Sequence, residues 1–223
     1  MIHLLIAAAL AAAPACGVDD ASGLLCQALA ASDAQKFPEA ATLFEQAAAQ
    51  SVEGAPRTQR MLAAAGNMWI AAGQAGKAAL DLDKALTGTG LQAEQRGLAL
   101  LDRARAAETQ NDLAAARKYA TEAGSTIGDD PFYWYFSAAL AVRENDLPNA
   151  RTAISRALTL GPSSPDVLFE AGYIANLDNQ ADKARDYWTR AIAADSGGPV
   201  AAAAKRELDT LGAKIPPEPR TDR

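Results

Sequence analysis

The sequence predicts an all-α protein, an α-solenoid of about five antiparallel helix-turn-helix repeats closed by a C-terminal capping helix. Three observations carry that prediction. Of the 223 residues, 49% are hydrophobic, and much of that share is alanine in runs such as EAATLF and AARKYA, which favours helices and lets their backbones approach closely. Apolar and small residues recur at three- or four-residue steps, the period of an amphipathic helix. The chain also resembles itself at a fixed spacing: Ala123, Ala157 and Ala191 lie 34 residues apart, and Ala47, Ala85 and Ala123 lie 38 apart.

The N-terminal stretch reads differently. Residues 1–15, MIHLLIAAALAAAPA, hold an apolar run from Leu4 to Ala13 and then the small-x-small site Ala13-Pro14-Ala15, the pattern of a secretory signal peptide. The run falls short of the about 20 apolar residues that a transmembrane helix needs. Export to a bacterial-type periplasm is the expectation; the alternatives are an N-terminal helix packed on the first hairpin and an uncleaved anchor. Cleavage after Ala15 would leave Cys16 first, an arrangement that resembles bacterial lipoproteins, although Ala13 and Pro14 stand where that family has Leu and a small residue. Cys26 is the other cysteine, and in an oxidising compartment the two can pair. Three states are open for Cys16: lipid-bearing, disulfide-bonded to Cys26, and free. Lipid on its sulfur would exclude the disulfide. Cys26 can equally be a small buried residue in a helix.

From residue 16 to 197 the repeats follow one another. The clearest copy is Trp134 to Pro162, where Trp134, Ala138 and Ala141 in one half and Ala150, Ile154 and Ala157 in the other flank the polar break Glu144-Asn145-Asp146. Corresponding residues are Leu168, Gly172, Ala184, Trp188 and Ala191 in the last unit and Leu62, Gly66, Trp69, Ala78, Leu82 and Ala85 in the second. The first unit has Leu24, Ala28, Ala40, Phe44 and Ala47; the third has Leu100, Ala104, Ala116, Ala120 and Ala123. Packing explains the pattern: Gly or Ala on the first helix makes a notch for the second, and a large residue fills the space beside it. Each hairpin leaves an apolar face that only its neighbour covers. The 38-residue steps predict longer connections in the first half, at Ser51 to Pro56 and Thr87 to Gly90, which read as loose surface insertions or hinges. Residues 198–212 read as the capping helix, opened by Pro199 and ended by Gly212, and residues 213–223, with Pro216, Pro217 and Pro219, as a disordered tail.

The 34-residue unit with small and large residues at these offsets resembles the tetratricopeptide repeat family. That resemblance implies a solenoid whose first helices line a concave groove, with positions two, five, nine and twelve of each unit facing it. Counted onto this chain, those positions include Arg60, Asn67 and Ile70 in the second unit and Leu101, Arg105 and Glu108 in the third. They are Phe132, Tyr135 and Val142 in the fourth unit and Asp166, Phe169, Tyr173 and Asn176 in the fifth. The resemblance thus implies a protein or peptide partner, with Arg60, Asn67, Arg105, Phe132, Tyr135, Phe169, Tyr173 and Asn176 as the candidate binding residues. Rigid aromatics give large contact area at little entropic cost, so Phe132, Tyr135, Phe169 and Tyr173 are the expected hot spots, unless some of them pack between hairpins. The carboxylate clamp of some family members is not matched, because Ala63 stands at its lysine position.

Catalytic chemistry finds little support. The single histidine is His3, inside the expected signal peptide, so a mature chain has no Ser/His or Cys/His pair and no ordinary zinc site. No Walker or dinucleotide glycine pattern occurs, and no metal or cofactor is expected. Asp129-Asp130 and Asp81-x-Asp83 are the closest carboxylate pairs; the first precedes Pro131 at a helix start and reads as a cap, and the second straddles two faces of a helix. A net charge of -6 without a basic stripe argues against nucleic acid. The expected function is a non-catalytic protein-binding scaffold. The alternative is a membrane-anchored lipoprotein acting structurally in envelope assembly, and self-association through the repeat ends is a third reading.

Overall fold

Capping residues and prolines divide the chain into its helices. Asp20, Asp112, Asp130 and Asp146 each accept a bond from a backbone N–H in the first turn of the helix that follows. Proline occupies the first or second position of six helices, where its missing N–H has no partner to lose. A computed structural model describes residue 16, residues 20–51 and residues 55–214. The expected signal peptide and most of the expected tail lie outside those residues.

Among the described residues there are eleven helices and no strand: α1 (Ala21–Asp33), α2 (Phe37–Ala49), α3 (Pro56–Ala71), α4 (Ala75–Thr87), α5 (Ala93–Thr109), α6 (Leu113–Ile127), α7 (Pro131–Arg143), α8 (Leu147–Leu160), α9 (Pro165–Leu177), α10 (Ala181–Ala194) and α11 (Pro199–Lys214). The five expected hairpins correspond to α1 through α10. The last helix runs through Gly212, the residue expected to end it, to Lys214. Each hairpin turns at one residue with positive φ: Gln35, Gly73, Asn111, Asn145 and Asn179. These five positions follow the same 38- and 34-residue steps as the alanines, and three are asparagine, which tolerates the left-handed conformation better than other side chains. The extra residues of the 38-residue steps are shared between longer connections before α3 and α5, as expected, and longer first helices. The first helices α3 and α5 have 16 and 17 residues, against 13 in α7 and α9.

The chain forms two compact units, Met1–Ala106 and Ala107–Arg223, divided near the end of α5. In the first, α1 packs on α2, α2 on α3 and α3 on α4. Ala28, Phe44 and Ala65 form one cluster, and Trp69, Ala78, Leu82, Ala85 and Ala99 belong to another. A disulfide between Cys16 and Cys26, with Cα atoms 5.5 Å apart, fastens residue 16 to α1. The Thr87–Gly90 connection is not loose. The Gln59 side chain, 7% exposed, accepts from the Gly90 N–H, and a Cβ at Gly88 or Gly90 would overlap the Gln59 amide. Arg103 clasps Asp83 with two bonds, and Arg96 donates to the Leu86 carbonyl, which holds α5 against the end of α4.

In the second unit α7 packs on α8, α9 on α10 and α11 on α10, while α6 meets α7, and α9 meets both α7 and α8. Arg117 on α6 pairs with Glu144 in the turn after α7, and Arg151 on α8 pairs with Asp178 after α9. Both partners recur 34 residues on, so the repeat carries its inter-hairpin ion pair with it. Across the two units nearly every residue aligned in the repeat is buried, and only Leu62 and Trp134 are half-exposed. Ala120, where a large residue is usual, is 1% exposed.

Candidate functional site

Five consecutive aromatics, Phe132 to Phe136, open α7, and a helix cannot point all five inward. The structure sorts them. Tyr133 lies against α6, its hydroxyl 2.3 Å from where a Cβ on Gly124 would stand, so the glycine makes room for it. Tyr133 also meets Trp134 edge-on with ring centroids 5.0 Å apart, and the Trp134 indole donates to the Gly128 carbonyl at 2.7 Å. Phe136 is 7% exposed. The two that remain, Phe132 and Tyr135, pair with centroids 5.5 Å apart. Phe132 is exposed, while Tyr135 is half-buried and rests on the cluster built from α7, α8 and α9.

On α9 the exposed stripe is Asp166, Tyr173 and Leu177, with Phe169 and Asn176 half-buried. Phe169 packs onto the cluster around Trp188, and its carbonyl accepts the Trp188 indole at 3.1 Å. Since α7 and α9 touch, the aromatic positions named from the sequence lie on neighbouring first helices of one unit. Phe132 and Tyr173 offer the exposed ring surface, while Tyr135 pairs with Phe132 and, like Phe169, packs on the core. Beside Phe169 stands Glu170, a buried carboxyl that burial pushes up to about 7. Sequence periodicity gave no sign of it, because an acid at this offset reads as a solvated face.

The candidates of the first unit behave differently. Arg60 is exposed. Asn67 and Arg105 converge on Asp102: the Asn67 amide donates to Oδ2 at 2.8 Å and the Arg105 guanidinium to Oδ1 at 2.8 Å. Burial raises the Asp102 carboxyl above its ordinary range while these two donors pull it back. Both residues are thus engaged in an internal network that joins α3 to α5. Leu101, counted onto the groove from the sequence, is 2% exposed and belongs to the core.

Of the two carboxylate pairs, Asp130 caps α7 by accepting from the Phe132 N–H, as expected. Asp81 of the other pair, read from the sequence as straddling two helix faces with Asp83, faces inward. It is 4% exposed on α4, its Oδ2 has no hydrogen-bond partner, and burial beside Glu45 raises it to about 6. It lines a recess of about 560 Å³ among α2, α3 and α4. Among the described residues no three His, Cys, Asp or Glu side chains converge as a metal site, and no helix is long and apolar enough to cross a membrane.

Residues 26–93 and 137–199 match the tetratricopeptide repeat family model, and the chain belongs to that family. Such repeats serve in general as non-catalytic scaffolds that bind proteins. Solved structures agree on the fold. YrrB, described as a tetratricopeptide repeat protein with an unusual peptide-binding site, is 18% identical with a TM-score of 0.57, over 84% of this chain and 93% of its own. The Pseudomonas aeruginosa pilF structure is 16% identical with a TM-score of 0.66, over 85% and 82%. A tetratricopeptide repeat protein from Parabacteroides merdae is 15% identical with a TM-score of 0.67, over 87% and 72%. Comparison with curated proteins finds no match.

Proposed function

We propose that the chain is a non-catalytic scaffold that captures an extended or helical segment of a partner protein on the first helices α7 and α9. The observation that carries this is the exposed ring surface of Phe132 and Tyr173 on touching helices, backed by half-buried Tyr135 and Phe169. Rings held from behind lose little freedom on binding, which is how hot spots are built. The peptide-binding site of YrrB, on the same kind of fold, supports the reading. Crosslinking in the native envelope followed by mass spectrometry names the neighbour. Binding of that neighbour to Phe132→Ala/Tyr173→Ala should fall by at least about tenfold, with helical circular dichroism unchanged. Undiminished binding would remove these faces from the site.

The same proposal places the protein in an oxidising compartment. The Cys16–Cys26 disulfide supports export, since such bonds persist where thiols are not kept reduced. It also weighs against the lipoprotein alternative, because a sulfur bonded to Cys26 has none to give to a thioether-linked lipid. Mass spectrometry of the mature N-terminus should find Cys16 in a disulfide; a triacylated Cys16 would restore the membrane-anchored reading.

A further inference from the structure

The recess among α2, α3 and α4 lies in the first unit and does not depend on the aromatic faces. Its wall is part apolar, with Leu62 and the 63% exposed Leu80, and part charged, with Glu45, Asp81, Lys77 and Lys84. Two carboxylates stand inside it. Glu45 receives the Trp69 indole N–H at 2.7 Å, and Asp81, which has Glu45 and Trp69 as hydrogen-bonding neighbours, keeps a buried Oδ2 without a bond of its own. Neither lysine answers that oxygen. Lys84, 66% exposed, approaches the other oxygen of Asp81 at 3.8 Å, and the Lys77 ammonium lies over the Trp69 ring at 4.1 Å.

A buried acceptor without a donor is costly, and a ligand that brings a donor gains what the free protein lacks. Two carboxylates without a third ligand do not make a cage for a hard divalent cation. They do suit an ammonium group, whose three N–H donors can serve Asp81 Oδ2 and the Glu45 carboxylate together. The adjoining leucines and alanines offer contact to a hydrocarbon stem, and about 560 Å³ is the size of a small-ligand site rather than of one ion.

We propose that this recess binds an organic ammonium ion, a primary amine on an apolar stem, through Asp81 and Glu45. Such a group occurs on a free alkylamine and on the lysine side chain of a partner segment. Because burial and Glu45 raise Asp81 to about 6 against the opposing pull of Lys84, the site is half-discharged in mildly acidic solution. Affinity should climb by up to about tenfold per pH unit below 6 and level off above it.

The Trp69 indole N–H, bonded to Glu45, is a built-in reporter. Titration of the full chain with n-pentylammonium chloride at pH 7.5, followed by nitrogen-proton NMR, should shift that resonance saturably. Neutral pentanol should not. Asp81→Asn should weaken the response by at least about tenfold, and Glu45→Gln, which keeps an acceptor for the indole, should weaken it while circular dichroism confirms the fold. A blocked Ala-Lys-Ala peptide separates the sources: tighter binding than pentylammonium assigns the site to a lysine of a partner segment, and weaker binding assigns it to a free amine. An indole that does not move with pentylammonium, or that moves equally with pentanol, overturns the proposal. Full affinity in Asp81→Asn does the same.

Discussion

The hairpins α3/α4 and α9/α10 are built on the same notch and close it in different ways. In the first, a Cβ on Gly66 would meet Leu82 Cγ at 2.5 Å; in the second, a Cβ on Gly172 would meet the Trp188 indole at 2.5 Å. Glycine and filler are 16 residues apart in both. The tryptophans differ in what satisfies the indole. Trp188 sits on the second helix and donates to the Phe169 carbonyl of its own hairpin, in a fully buried core that Ala204 and Leu211 of α11 complete. Trp69 sits on the first helix and donates to Glu45 of the preceding hairpin, which draws a carboxylate to the boundary between repeats and leaves Asp81 beside it. One repeat pattern therefore yields a dry junction in one unit and a charged recess in the other. A buried N–H must find an acceptor, and the nearest acceptor differs.

Substitutions in the dry hairpin should have the largest effect. Trp188→Ala should lower unfolding free energy by about 3–5 kcal/mol in urea melts, the cost of an emptied aromatic site. Gly172→Ala should cost about 1–3 kcal/mol by overpacking against the same ring. The natural pair Ala138 and Ile154, buried together in one cluster, occupies the equivalent positions of the fourth repeat. Gly172→Ala combined with Trp188→Ile should therefore cost less than the two single changes summed, and strict additivity would show that the notch is not shared.

Next is the carboxyl of α9. Glu170 holds its proton to about 7 in the fold and to 4.5 as an ordinary glutamate, so between those values the folded chain binds more protons than the unfolded one. Stability should thus be greatest below pH 4.5 and fall by up to about 3 kcal/mol as pH rises through 7. Glu170→Gln should remove that slope, raising stability at pH 8 and leaving it nearly unchanged at pH 4. A slope that survives the substitution would assign it to another group, with Asp81 next in line.

Smaller effects test the charged recess and the turns. Trp69→Phe keeps the ring and deletes the donor to Glu45, for a cost of about 1–2 kcal/mol, chiefly through faster unfolding of the first unit. The turn residues of the two compared hairpins, Gly73 and Asn179, share a left-handed backbone. Gly73→Asn and Asn179→Gly should each change stability by less than about 0.5 kcal/mol. Gln35, at the same position of the first hairpin with φ of 57°, lacks either advantage, and Gln35→Gly should add about 1 kcal/mol in thermal melts.

The five hairpins and their buried faces were legible before any coordinates, because helical packing imposes a small residue at each notch and the 34-residue step repeats it. Of the candidate site, the outward placement of Phe132 and Tyr173 was implied by the resemblance to the repeat family, which named Tyr135 and Phe169 equally, and these two lie half-buried. The Asn67–Asp102–Arg105 network was not implied. Asp102 is one of many acids at polar helix positions, and only the approach of α3 to α5 tells that it receives two donors. Leu101 was counted outward because the family register was carried into α5, a helix four residues longer than α7. The connection at Thr87–Gly90 read as loose because glycine marks freedom in a sequence, whereas here it marks the space that Gln59 fills.

By itself the sequence determined what local periodicity can encode: which segments are helices, where they turn, which residue of each hairpin makes the notch and which fills it. Those choices involve residues a few turns apart, and hydrophobic spacing specifies them without knowledge of the rest of the chain. Only the tertiary structure decided which polar groups would be stranded or matched. It placed Asp81 without a full set of partners, buried Glu170, joined Cys16 to Cys26 and set Arg117 and Arg151 against acids in the next turn. The physical reason is that desolvation and hydrogen bonding depend on the neighbours that arrive from other helices, and no periodicity within one helix records them.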